Sequence, residues 1–141
     1  MTVTWMHKSR VGASHLLGHN QGMKTIDLPK IQQIVKQFAE ERDWDKFHSV
    51  KNLSMALTVE SSELMEIFQW LTEDESNRAH LDPKLKTKIE DEVADVFIYL
   101  LRIVGKTDMD LEQAILNKMQ KNIEKYPVDK ARGNSKKYTD L

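Results

Sequence analysis

Apolar residues recur at helical spacing in four stretches of this chain. In residues 28–42 the buried stripe is Ile31, Ile34, Val35 and Phe38. In residues 49–71 it is Leu53, Ala56, Leu57, Leu64, Ile67 and Leu71. In residues 83–104, Leu85, Ile89, Val96, Tyr99 and Ile103 share one face, while Val93, Phe97, Leu100 and Leu101 occupy the other. A fourth helix starts after Thr107-Asp108, runs to Tyr126, and carries Leu111, Ile115, Met119 and Ile123. The punctuation agrees with these limits. Asp27 and Asp82 are N-cap residues with prolines in the first turn behind them, Gly105 reads as a helix stop, and Pro127 ends the fourth helix. There is no strand alternation, internal repeat or low-complexity tract. The pattern predicts an all-α bundle of about four main helices. The third helix is apolar nearly all round, so it wants neighbours on every side. One short chain supplies few, and the bundle is expected to be completed by oligomerisation.

The segments between helices divide the chain further. Residues 1–22 have no sustained periodicity and read as a flexible extension; Trp5, His7, His15 and His19 there suggest either a docking or metal-binding tail or an unstructured end. Residues 23–126 form the domain, and 127–141 a basic tail without helical period. The connection 43–48 holds Trp44, Phe47 and His48, either plugging a gap between helix ends or forming a stacking wall with His48 as a polar contact. Residues 72–82 read as a polar loop.

Against this background four carboxylates are misplaced. Glu60-Ser61-Ser62-Glu63 and Glu92-Val93-Ala94-Asp95 each space two acids three residues apart, which puts both on one helix face. Glu60 shares its face with the stripe of the second helix and Glu92 with that of the third. The two helices should form an antiparallel hairpin that brings the pairs together. Unpaired carboxylates aimed at a core are costly. One solution is structural pairing with Lys88, Arg102 or Lys118. The other is a hard oxygen site for Mg²⁺, with Mn²⁺ as substitute, which keeps positions open for water or phosphate. A di-iron site fits less well because neither pair contains a Glu-x-x-His. Asn52 and Trp70 project on the Glu63 side, and Lys118, Asn122 and Tyr126 share a face of the fourth helix. Lys118 is either a snorkelling lysine or a cation near the cluster. Metal ions beside aromatic residues suggest a nucleotide, with Trp44, Trp70 or Tyr99 against the base.

Composition narrows the classes. A net charge of −1 gives no bulk attraction to nucleic-acid polymers or anionic membranes. No apolar run spans a bilayer, and the absence of cysteine removes thiolate sites and fits a cytoplasmic setting. Glycine-rich phosphate loops and hydrolase or zinc-protease motifs are absent.

The strings RDWDKFH (42–48), ExxELMEIFQW (60–70), DEVADVFIYL (91–100), Lys118-Met119, Asn122, YPV (126–128) and ARGNSKKYT (131–139) resemble the MazG-type, all-α nucleoside triphosphate pyrophosphohydrolases, closest to their dCTP-directed branch. The resemblance covers residues 25–140. It implies Mg²⁺-dependent hydrolysis of a dNTP, pyrimidine and dCTP first, to the monophosphate and pyrophosphate. It implies metal ligation by Glu60, Glu63, Glu92 and Asp95, with Glu63, then Glu60, placing the attacking water. It implies base recognition by Trp44, His48, Trp70 and Tyr99. Asn52, Lys118 and Asn122 would lie near sugar or phosphates, with Tyr126 also binding substrate, in a dimer or tetramer with sites between subunits. The alternative is a non-catalytic helical oligomer that binds a nucleotide or a protein.

Overall fold

The computed structural model describes residues 25–140. The segment 1–22, with its tryptophan and histidines, lies outside the described residues. Six α-helices and two short 3₁₀ turns follow one another: α1 (Leu28–Glu40), α2 (Val50–Phe68), α3 (Glu73–Arg78), a 3₁₀ turn (Ala79–Leu81), α4 (Pro83–Lys106), α5 (Leu111–Lys125), α6 (Val128–Ala131) and a second 3₁₀ turn (Tyr138–Asp140). There is no strand among the described residues. The four long helices are the expected ones.

Side chains cap them in the way their sequences indicate. The Lys30 N–H donates to Asp27 Oδ1 at 3.1 Å, the Asn52 N–H to Ser49 Oγ at 3.1 Å, and the Gln113 N–H to Asp110 Oδ1 at 2.9 Å. At α4 one oxygen, Asp82 Oδ1, accepts from Lys84 and Leu85 at 2.8 and 3.2 Å. Each bond satisfies an N–H that the helix leaves orphaned.

Three local expectations need correction. Residues 72–82 are not all loop: Thr72 and Glu75 form a reciprocal capping box that starts α3 inside a wholly polar stretch. Gly105 does not end the third helix, since α4 continues through it to Lys106 and is capped at Thr107. Nothing crowds Gly105, and the backbone bonds continue past it. The basic tail contains the one-turn helix α6 and the second 3₁₀ turn.

The spine is the α2–α4 pair, with α1 laid across α4. Glu60 lies near Asp95 and Tyr99, Glu63 near Glu92, and Ile67 beside Leu85, so numbers fall on α4 as they rise on α2. The two helices are therefore antiparallel. Leu85, Ile89, Glu92, Val96, Tyr99 and Ile103 of α4, Ala56, Leu57, Glu60, Leu64 and Ile67 of α2, and Leu71 just beyond it, are each partly covered as the periodicity requires. Fully buried apolar side chains are few: Ala39, Leu53, Ala79, Leu101 and Val104. Leu53 is sealed at 1% exposure, and truncating it to alanine should cost about 2–5 kcal/mol. The stripe of α1 is looser than expected, with Ile34 and Phe38 about half exposed. Helix α5 makes little contact with the rest of the bundle, and Ile115, Met119 and Ile123 stand open. No helix of the described residues is long and apolar enough to cross a membrane.

Candidate active site

The i,i+3 spacing on α2 turns Glu60 and Glu63 toward the same neighbour, and the antiparallel register supplies Glu92 from α4. One carboxylate oxygen from each of the three lies within 4.8 Å of those of the other two. Asp95, one turn on from Glu92, stands outside this trio but beside Glu60, and both line one cavity.

The electrostatics are those of anions in want of a counter-ion. Burial, then the charges of Asp95, Glu63 and Glu92, push the Glu60 carboxyl above the usual range. Burial, then Glu63, Asp95, Asp91 and Glu66, do the same to Glu92. Glu92 Oε2 is sealed from solvent and has no hydrogen-bond partner among the described residues. An orphaned buried carboxylate oxygen costs free energy unless something meets it. No ion pair to any of the four acids occurs among the described residues, although Lys88 lines the same depression as Glu63, Glu66 and Glu92. Arg102, weighed above as a partner for these acids, is spent elsewhere. The residues therefore fit a divalent cation held by oxygen ligands.

Beside the trio lies a cavity of about 390 Å³, within the size range of small-molecule sites. Helix α1 gives it Ile34 and Phe38; the 43–48 connection gives Trp44 and His48; α2 gives Glu60; α4 gives Asp95, Ile98, Tyr99 and Arg102. Trp44 packs edge-on against Phe38 with centroids 5.7 Å apart, and against His48 at 6.3 Å. It is 44% exposed, so it lines an opening and does not plug a gap. Phe47 points away from the cavity, under the Lys46 ammonium. The Tyr99 hydroxyl is held protonated by burial, then by Glu60 and Asp95.

The connection that carries Trp44 and His48 is well anchored. Asp43 takes a left-handed φ of 52°, which aspartate tolerates better than most residues. The Trp44 N–H then donates back to the Ala39 carbonyl at 2.9 Å. Asn52 Nδ2 donates to the Phe47 carbonyl at 2.9 Å, tying the connection to α2. Asp45 accepts from Arg102 Nη2 and lies 3.4 Å from Lys106 Nζ. Arg102 also reaches His48 Nδ1 at 3.2 Å. Arg102 lines the cavity and Asp45 holds it from behind, and the sequence alone assigns neither to the site. The one cue was an arginine inside the apolar run Leu100-Leu101-Arg102-Ile103-Val104.

Five of the expected residues thus share the cavity: Trp44, His48, Glu60, Asp95 and Tyr99. Glu63 and Glu92 join it through the trio. Asn52 supports the connection from behind. Trp70 is 88% exposed, two residues past α2 and about 15 Å along that axis from Glu60. Lys118 and Asn122 on α5, and Tyr126 at its C-terminal cap, do not line the cavity; Tyr126 packs edge-on against Tyr138.

Comparisons with known proteins add a likeness in sequence and in fold. Mouse dCTP pyrophosphatase 1 is 41% identical over 114 residues, 81% of this chain and 67% of the mouse protein. The human dCTP pyrophosphatase 1 is 40% identical over the same length, with the same coverage. A crystal structure of a pyrophosphatase from Archaeoglobus fulgidus superposes with a TM-score of 0.67 at 34% identity, covering 77% of this chain and 99% of that one. The MazG-like family model matches residues 55–141, a span that takes in both acidic pairs. The helical hairpin with its converging glutamates, and this likeness in sequence and in fold, place the chain in the MazG-like family.

Proposed function

We propose that this protein is a nucleoside triphosphate pyrophosphohydrolase that converts dNTPs, pyrimidines and dCTP foremost, to the monophosphate and pyrophosphate. The observation that carries the reading is the Glu60–Glu63–Glu92 trio with its orphaned Glu92 oxygen, opening beside an aromatic cavity. The identity to dCTP pyrophosphatase 1 supports the choice of substrate.

Glu60, Glu63, Glu92 and Asp95 would hold the divalent cation, Mg²⁺ by the hardness of an all-carboxylate set, with Mn²⁺ as substitute. When bound, such an ion neutralises phosphate charge and acidifies water. The remaining work falls to the chain. Trp44 offers its ring to the base, and His48 and Tyr99 offer polar edges. Glu63, with Glu60 beside it, orients the water that attacks the α-phosphorus. The bond from that phosphorus to the bridging oxygen breaks and pyrophosphate leaves. Ile34, Phe38 and Ile98 keep bulk water from the base.

A second copy of the chain completes the site. Trp70, Lys118, Asn122 and Tyr126 are absent from the cavity of one chain, and the open apolar face of α5 calls for a partner. A dimer, or a pair of dimers, would bring them to a neighbour's triphosphate. Residues 23–126 with the tail form the working unit. The extension 1–22 is assigned no role in this reading, and a dNTP pool as substrate fits a cytoplasmic setting.

Pyrophosphate release from a panel of dNTPs, with and without Mg²⁺, tests the reading. Expected is metal-dependent release, fastest with dCTP. No release from any dNTP in the presence of Mg²⁺ would leave the alternative of a non-catalytic nucleotide-binding oligomer.

A further inference from the structure

Arg102 is a buried cation at 8% exposure, and it is the residue through which α4 grips the 43–48 connection. A guanidinium has only donors. Its contact with His48 Nδ1 at 3.2 Å therefore requires a lone pair on that nitrogen. The ring proton must then sit on Nε2, which has no partner among the described residues. Burial, then the Arg102 charge, lower the His48 pKa, with Lys106 acting in the same sense against Asp45. The ring is neutral at pH 7, and its orientation is set by a residue that does not itself react. Asp45 completes the arrangement by holding Arg102 in place.

We propose that Arg102 is a positioning residue for base recognition, fixing His48 as the Nε2–H tautomer so that the cavity offers a hydrogen-bond donor to an acceptor edge of the nucleobase, such as O2 or N3 of cytosine. The base-binding half of this statement rests on the dNTP reading above; the tautomer half does not. A buried arginine that serves only as a structural ion pair would have met Asp45 alone. Here the guanidinium also reaches the imidazole, and that imidazole lines the cavity beside Trp44.

The first measurement needs no substrate. In ¹⁵N-histidine-labelled protein at pH 7, His48 should show an imine-type Nδ1 and a pyrrole-type Nε2. A protonated Nδ1 overturns the proposal. The second uses Arg102→Met and dCMP as probe. The dCMP dissociation constant and the KM for dCTP should rise about tenfold, the scale of one positioned hydrogen bond, while kcat stays near the parent value. In a His48→Phe background the same change should add little; if the two losses multiply instead, Arg102 does not act through His48 and the proposal fails. Arg102→Lys keeps a charge against Asp45 but not the fork, so it should fold where Met does not and show a smaller loss of the same kind. A dCMP affinity unchanged in both variants overturns the positioning role. Absence of dNTP turnover would count against the proposed activity and leave the tautomer result standing.

Discussion

Glu92 illustrates how one residue can be unfavourable for the metal-free fold and yet be a ligand in the proposed site. Its raised pKa means that folding makes the charged carboxylate harder to keep than it is in the unfolded chain. The stability this group contributes is fully present below the unfolded carboxyl value and is lost as pH rises through the folded one. At neutral pH the metal-free protein therefore carries a penalty at Glu92 and at Glu60. Glu92→Gln should raise the melting temperature of the metal-free protein at pH 7 and abolish its response to Mg²⁺. In the parent chain, Mg²⁺ at a hundred times its Kd should add about 2.7 kcal/mol. Calorimetry with and without the ion reads both effects, and a variant no more stable than its parent would contradict the repulsion described. Glu63→Gln should keep the fold and lose pyrophosphate release by about a hundredfold or more, the scale of a positioned general base. At this scale the sequence was informative where neighbours are local. Two acids three apart on an apolar face are visible to anyone counting residues. Asp45 and Arg102 are 57 residues apart and join only when α4 packs against the connection, so no periodicity marks them.

Among the elements, the 43–48 connection is the adjustable one. Its hold on α4 depends on an ionised Asp45, whose pKa the Arg102 hydrogen bond lowers, and on a neutral His48. Both folded values lie below the unfolded ones, so both contributions are present above the unfolded pKa values and lost as pH falls through the folded ones. Acidification from pH 7 should loosen this segment first at His48. Amide hydrogen exchange at residues 44–48 should rise at mildly acidic pH before that of α2 does; equal protection throughout would contradict this. Asp43→Val places a β-branched residue at positive φ, should cost about 1–2 kcal/mol, and should shift the Trp44 resonances. The long helices were legible because their apolar stripes and caps agree. α3 was not, because six polar residues offer no stripe and only the Thr72–Glu75 box announces it. Gly105 misled in the other direction: a glycine stops a helix only where the backbone turns left-handed, and here it does not.

The whole molecule leaves much apolar surface uncovered, and the proposed assembly accounts for it. Ile115→Glu on α5 should yield a smaller species by sedimentation and remove turnover together with it. Full activity in a monomer would refute the shared site. Deleting residues 1–22 should leave both size and turnover unchanged. Partnership was anticipated from α4, whose apolar surround exceeds what one chain can cover. The need is larger on α5, whose stripe has the pattern of an ordinary core face but makes little contact with the other described helices.

The small core of five apolar side chains among the described residues has a kinetic corollary. In the proposed assembly, a chain that buries so little by itself would gain the rest of its stability when two copies meet, and folding would become second order in protein. Dilution should then lower the melting temperature as it lowers the fraction assembled. Within a cell, output would rise more steeply than copy number at low abundance, and halving expression would remove more than half of the activity.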